Sequence, residues 1–202
     1  GVQTCALPIF PNEWDQKIAD KNVGITAAIE TDKSNVEWLS SCNKMDLVVF
    51  PSDHAKNSIE ANGKITASVQ VIPESFPDEI FDSSTLDMPQ VNTAFNFLLF
   101  GQITGNNPHN DRKNLLFTIK WLCETFKDDP DVGIILKTNS GKNTLIDRNI
   151  VTKLIKTLIS EVRKGQYPKI HLLHGEMSDS DVCSLYRHPS VKALISLTRG
   201  EG

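Results

Sequence analysis

The sequence predicts an α/β protein built on an open, doubly wound parallel sheet, and three observations predict it. Short apolar runs of strand length alternate with stretches of helical periodicity from Asn96 to Leu197. The runs are bounded by polar residues and lack strict alternation, so they read as strands buried on both faces. The helical stretches between them are long enough for right-handed crossovers, which join parallel neighbours.

In chain order, Val23 to Ile29 (VGITAAI) and Asp46 to Phe50 (DLVVF) read as buried strands. Between them, Ser34 and Glu37 have the spacing of a capping box, which predicts a helix carrying Trp38, Leu39 and Cys42. Pro51-Ser52 leads into a second short helix that Gly63 is suited to stop, and Val69 to Pro73 is a further strand. Residues 74–94 then carry Pro77, Pro89 and several Asp and Ser with little periodicity, and read as an irregular interdomain connection. This gives an N-terminal portion over 10–73 and a second domain over 95–202.

Within that second domain the strands are Asn96–Gly101, Val132–Thr138, Lys169–His174 and Val191–Leu197. The first helix between them carries Leu115, Leu116, Ile119, Leu122, Cys123 and Phe126. The second runs from Ile150 to Val162 with Gly165 placed to end it, and the third starts at Ser178 with Asp181. Ligands of such sheets bind beyond the carboxyl ends of the strands, so the candidate residues are sought there.

Composition narrows the class. The 202 residues are 39% hydrophobic and 23% charged, with a net charge of -4, which offers no broad attraction to nucleic acid or anionic lipid. No run approaches the roughly 18 apolar residues of a membrane span. Of the four cysteines, Cys42, Cys123 and Cys183 lie on apolar stretches without CxxC spacing, and read as small buried hydrophobes in a reducing compartment. Residues 1–9 (GVQTCALPI) read as the in-frame translation of a sequencing adapter, and Arg199-Gly200-Glu201-Gly202 stops inside a ligand loop, so the chain is expected to be a piece of a longer product.

Four places on the carboxyl edge hold chemistry. Arg112 and Lys113 follow Asp111 at the head of a predicted helix, where the helix dipole opposes cations. Either an anion such as a diphosphate docks at the helix N–H groups, or these are two solvated charges offset by Asp111. Lys137, at the end of a strand, either reaches a phosphate or snorkels to the surface. His174 and Gly175 end the next strand, where backbone groups could hold a nucleobase, although a lone His there is more often structural. Glu201, between Gly200 and Gly202, presents one carboxylate on a backbone that a ligand can approach closely. Two motifs fail. Asn139–Thr144 has Leu136 and Asn143 where a phosphate loop needs Gly and Ser/Thr, and Phe100-Gly101-Gln102 lacks the dinucleotide spacing.

Set in order, these segments resemble the retaining glycosyltransferases of family 4. Trp38 to Ser52 (WLSSCNKMDLVVFPS) resembles the end of their acceptor domain, and Val71 to Glu74 (VIPE) with Phe81 resembles the crossing into the donor domain. FLLFG, RKN, IILKT, LLHG, LY and SLTRGEG then follow in family order. The resemblance implies a GT-B-like fold, with residues 95–202 as a truncated, Rossmann-like nucleotide-sugar-binding domain. It implies transfer of a hexose from a nucleotide-diphosphate sugar to an acceptor hydroxyl with retention, with no metal and no other cofactor. Arg112 and Lys113 match part of the diphosphate-binding pair, although Gln102 stands where the family has Arg. Glu201 matches the catalytic first Glu of the E-x7-E motif, while Lys137, His174, Gly175, Arg199, Gly200 and Gly202 match the donor pocket. The resemblance further implies a cytoplasmic, bacterial enzyme of polysaccharide biosynthesis acting on a glycan, lipid or protein acceptor. Peripheral membrane contact would come through regions outside this chain, and the 202 residues alone are expected to be inactive. Three alternatives stay open: a non-catalytic carbohydrate- or nucleotide-binding module, a nucleotide-sugar epimerase of the same fold, and an ordinary doubly wound protein unrelated to sugars.

Overall fold

The computed structural model describes residues 10–14, 19–29, 31–82, 86–88, 90–103 and 107–198. The chain divides into two compact units, residues 1–75 and 76–202.

The first unit holds a three-stranded parallel sheet in the order β1 (Val23–Ile25), β2 (Leu47–Phe50), β3 (Ser68–Val71). Helix α1 (Val36–Cys42) joins the first pair and α2 (Asp53–Glu60) the second. Trp14, Trp38, Cys42, Val48, Phe50 and Ile59 form its core. Three local expectations change. β1 is shorter than 23–29 and sits at the sheet edge, with Val23 and Ile25 exposed rather than buried. The predicted capping box is not made. Asn35 caps α1 by accepting from the Glu37 N–H at 3.0 Å, while buried Ser34 donates its hydroxyl to the Ser58 carbonyl at 3.1 Å. α2 ends at Glu60, before Gly63 is reached.

The second unit is a four-stranded, all-parallel sheet built from β4 (Phe95–Phe100), β5 (Val132–Thr138), β6 (Lys169–His174) and β7 (Val191–Leu194). Their order in space is β6-β5-β4-β7. The connections are α3 (Leu115–Thr125), α4 (Leu145–Val162) and α5 (Asp179–Arg187). The sheet is doubly wound, and the side-chain alternation shows it. Leu99, Ile134 and Leu136 face α3 and α4, while Leu98 and Ile135 face Leu185 of α5. All seven residues of β5 are buried, which is why its run is uninterruptedly apolar up to Lys137.

Because β7 returns to the far side of β4, the strand order reverses between β4 and β7. That switch point is where open sheets leave a crevice at their carboxyl ends. The opposite end of the sheet is locked by a buried polar cluster. Asn96 donates to the Thr93 carbonyl at 2.9 Å and to the Ser190 carbonyl at 3.0 Å, and accepts from the Thr93 hydroxyl. The ring of His171 meets the same hydroxyl at 3.3 Å. Gly133 makes room for this cluster, since a Cβ there would overlap Asn96 Oδ1 and Thr93 Oγ1.

The helix limits also differ from expectation. α4 starts at Leu145, not Ile150, because Thr144 and Asp147 form a capping box, and it ends at Val162 with extended Arg163 as its cap. α5 has the expected cap, Ser178 with Asp181. Leu86, Met88 and Val91 of the irregular stretch pack against Leu98, Ile135 and Leu185 in the second unit.

Candidate functional site at the carboxyl edge of the second sheet

The segment after β4 positions the first cations. Asn114 adopts a left-handed conformation (φ 53°, ψ 25°), so α3 begins only at Leu115. Arg112 and Lys113 therefore lie in the turn before the helix rather than in its first turn, which corrects the expectation from sequence. The helix terminus already has an anion, because fully buried Asp111 accepts from the Leu116 N–H at 3.1 Å. A ligand anion here would meet the turn and its side chains. Arg112 is exposed and Lys113 half-buried. The stem of Lys113 lies over the end of β4: a Cβ placed on Gly101 would be 3.6 Å from its Cβ and its Cγ.

Lys137 departs from one of its two sequence readings. It is only 4% exposed, so it does not snorkel. Its Nζ donates to Asn139 Oδ1 and to the Gly175 carbonyl, both at 2.6 Å, and lies 5.7 Å from the centroid of the Phe100 ring. Burial lowers its pKa below the ordinary lysine value. An ammonium has three donors, so two structural bonds leave one for a ligand. Lys137 thus ties the ends of β4, β5 and β6 together as well as charging them.

Gly175 turns the chain after β6 with φ +119°, a conformation that favours glycine, and its carbonyl is directed at Lys137. Its carbonyl is thereby engaged within the protein. His174 beside it is half-buried, and its Nε2 is shielded from solvent without a hydrogen-bond partner. Burial lowers its pKa; nearby Asp147 opposes that shift, while Lys137 and Arg148 add to it. A neutral imidazole with an unsatisfied ring nitrogen can exchange a hydrogen bond with the edge of a base or sugar. A hollow of about 540 Å³ opens here, lined among others by Met88, Lys137, Arg148, His174, Gly175 and Met177. Arg199, Gly200, Glu201 and Gly202 lie outside the described residues.

The loop over 139–144 is self-filled. Asp147 Oδ2 accepts from the Lys142 N–H at 3.1 Å, the Thr144 N–H at 2.9 Å and the Thr144 hydroxyl at 2.8 Å. Those bonds hold the Asp147 carboxyl below the usual range. The Lys142 and Thr144 N–H groups and the Thr144 hydroxyl, donors that a phosphate cradle would offer, are thereby engaged within the protein. Arg148 and Asp147 are the site-edge residues that sequence reasoning missed. The signal was present in Thr144-x-x-Asp147, whose capping-box spacing sets the helix start and brings Arg148 to the hollow. Among the described residues no group of three His, Cys, Asp or Glu is placed to hold a metal ion, and no helix is long and apolar enough to cross a membrane.

No family model matches the chain, and no curated protein matches its sequence. Solved structures do. The chain is similar to an Escherichia coli structure named for trehalose-6-phosphate and bound with UDP-2-fluoro glucose. The TM-score is 0.58 at 9% identity, over 88% of this chain and 47% of that one. It is similar to a trehalose-6-phosphate synthase with a TM-score of 0.55 at 11% identity, over 89% of this chain and 47% of the other. It also resembles the N-terminal domain of trehalose-6-phosphate phosphatase from Candida albicans, with a TM-score of 0.50 at 12% identity, over 81% and 40%. The chain spans about half the length of these structures or less. At such identities the likeness is one of fold, and the fold is the parallel-sheet, Rossmann-like α/β architecture of GT-B proteins.

Proposed function

We propose that the chain is part of a glycosyltransferase that takes a hexose from a nucleotide-diphosphate sugar and transfers it to an acceptor hydroxyl with retention. The observation that carries this reading is the gathering of Lys113, Lys137 and His174 at the carboxyl edge of β4, β5 and β6, in a fold shared with a structure that is bound with UDP-2-fluoro glucose. In this reading the diphosphate lies near the turn of Arg112 and Lys113, with the remaining Lys137 proton directed to the donor. His174 borders the nucleobase side, and Glu201 with Arg199, Gly200 and Gly202 holds the sugar. Charge growing on the departing nucleoside diphosphate would meet cations fixed in advance, the usual source of the largest catalytic term. The acceptor hydroxyl attacks from the face that the leaving group vacates. Assignment to family 4 rests on the motif order from Trp38 to Gly202, as does the expectation of a cytoplasmic bacterial enzyme making a polysaccharide.

Titration with UDP and GDP, beside an Arg112→Ala/Lys113→Ala double variant, tests the reading. Saturable binding that weakens at least roughly tenfold in the variant is expected, since hydrogen bonds to charged groups contribute about 1.5–3 kcal/mol each. Binding indifferent to the two residues would remove the diphosphate from this turn. Absence of binding would leave only the fold.

A further inference from the structure

We propose a second anion site in the groove between α4 and the edge strand β6, one that takes a small soluble molecule carrying two phosphates. The groove has a volume of about 600 Å³, within the range of small-molecule sites. Its placement follows from helical spacing. Positions 148, 152, 156 and 159 recur every three or four residues, so Arg148, Thr152 and Lys156 share one stripe of α4, and Arg163, the extended residue that caps the helix, lines the same groove just beyond its end. β6 forms the rim of the groove: Ile170 and Leu172 face α4, and Lys169 and His171 reach the groove from the other face of this edge strand, beside Asn92 and Thr93. Ile155, Ile159, Ile170 and Leu172 supply apolar surface.

Three observations point to a ligand rather than to a solvated face. First, four permanent cations line the groove and no carboxylate does. Second, among the described residues none of Arg148, Lys156, Arg163 and Lys169 has a carboxylate within ion-pair distance, whereas Lys56 and Lys120 elsewhere are paired with Glu60 and Glu124. Third, the polar atoms are held in place without being used up. The Arg163 guanidinium donates to the Pro168 carbonyl, yet its Nε is shielded from solvent without a partner. Lys169 is steered by one bond of 3.1 Å to Asn92 Oδ1, which leaves two ammonium protons. Collecting like charges on one groove is unfavourable by itself, and a dianionic or trianionic guest reverses the sign. Diphosphate geometry suits two guanidinium forks flanked by two ammonium groups. His171 is buried and its pKa is lowered by burial, with Lys169 adding to the shift, so it enters as a neutral hydrogen-bonding group.

The groove shares Arg148 with the hollow beside His174 but has no residue in common with the turn of Arg112 and Lys113, which permits a cross-comparison. Inorganic pyrophosphate is titrated calorimetrically into the full 202-residue chain and three double variants. These are Lys156→Gln/Lys169→Gln, Arg112→Ala/Lys113→Ala, and Lys142→Gln/Lys153→Gln as a control for net charge. Thermal melts establish that each variant folds, and Lys156 is exposed and Lys169 half-buried, so no core group is lost. Saturable binding is expected that weakens at least roughly tenfold in Lys156→Gln/Lys169→Gln and less than about threefold in the other two. Loss confined to Arg112→Ala/Lys113→Ala would overturn the proposal, because the anion would then lie at the other site. An equal loss in the charge control, or no saturable binding to the parent chain, would overturn it as well. Arg163→Gln, which keeps a donor for Pro168 but removes the charge, provides an independent arm and is expected to weaken pyrophosphate by a similar factor.

Discussion

Replacing Gly133 with alanine would introduce a methyl group where Asn96 Oδ1 and Thr93 Oγ1 already lie, with Thr93 Cβ only 3.1 Å away. The atoms in the way belong to a fully buried residue and its clustered partner, so they cannot swing into solvent. Overpacking of this kind costs about 1–3 kcal/mol. Displacing Asn96 also weakens its bonds to the Thr93 and Ser190 carbonyls, at about 1 kcal/mol each. Against this, alanine restricts the unfolded chain and returns about 0.4–1 kcal/mol. The net expectation is a loss of about 2–4 kcal/mol in the second unit. Native-state hydrogen exchange at the amides of Ile134 and Ile135 reads that unit separately from the first. Their exchange should accelerate roughly thirtyfold to several hundredfold, since each 1.4 kcal/mol is a factor of ten. In the double variant Gly133→Ala/Asn96→Ala one of the two overlaps is gone and the Thr93 hydroxyl is released from Asn96 to turn away, so the combined loss should be less than the sum of the separate losses. Acceleration below about tenfold, or strict additivity in the double variant, would refute the close-approach argument.

Two further outcomes follow from the buried groups. Lys137→Met should lower stability by about 1–3 kcal/mol at neutral pH, because the Gly175 carbonyl and Asn139 lose a charged donor while the cost of burying that charge is also removed. The folded-state pKa of Lys137 lies below its unfolded value, so between the two the unfolded chain binds more protons and stability rises with pH. The gap between parent and variant should therefore widen as pH climbs towards 10.5, and a gap that narrows would contradict the burial of this ammonium. The Cys42 thiol is pushed up to about 11 by burial, and burial raises Cys123 and Cys183 as well. A thiol-reactive dye should label these three only in denaturant, with mass mapping of the labelled peptides as the readout; rapid native labelling of any of them would count against the core described above.

How far the sequence could be read depended on whether a residue's fate was decided locally. VGIILKT announced a central strand because all seven of its positions meet protein, and apolar continuity is the direct trace of that. The Ser178 cap was legible for the same reason, since its partner Asp181 is three residues away. Asp111 was not legible. Its carboxylate serves α3 only because Asn114 takes a left-handed conformation, and Asn tolerates that geometry without requiring it. The side chain of Lys137 likewise depends on Gly175, 38 residues later, whose carbonyl sits at the end of a different strand. At the candidate site, strand ends and residue types placed Lys137, His174 and Gly175 at one edge of the sheet, and the structure brings them together there. Strand order, which brings β7 beside β4, left no sequence trace. The nearness of Arg148 and Lys156 on α4 to Lys169 was equally silent, because it depends on β6 being the edge strand beside that helix.

The return of β7 to β4 also sets an order of events in folding. The bond from Asn96 to the Ser190 carbonyl joins residues 94 apart, whereas β4, β5 and β6 pair through single crossovers. Contacts of large sequence separation carry a greater loop-closure cost and tend to form late. Until β7 docks, β4 is an open strand edge with its backbone groups unmatched on one side. The carboxyl end of β4 therefore gains its second neighbour only with the last pairing. On a ribosome, the chain would carry three paired strands with one side of β4 still open while residues 175–194 are being made.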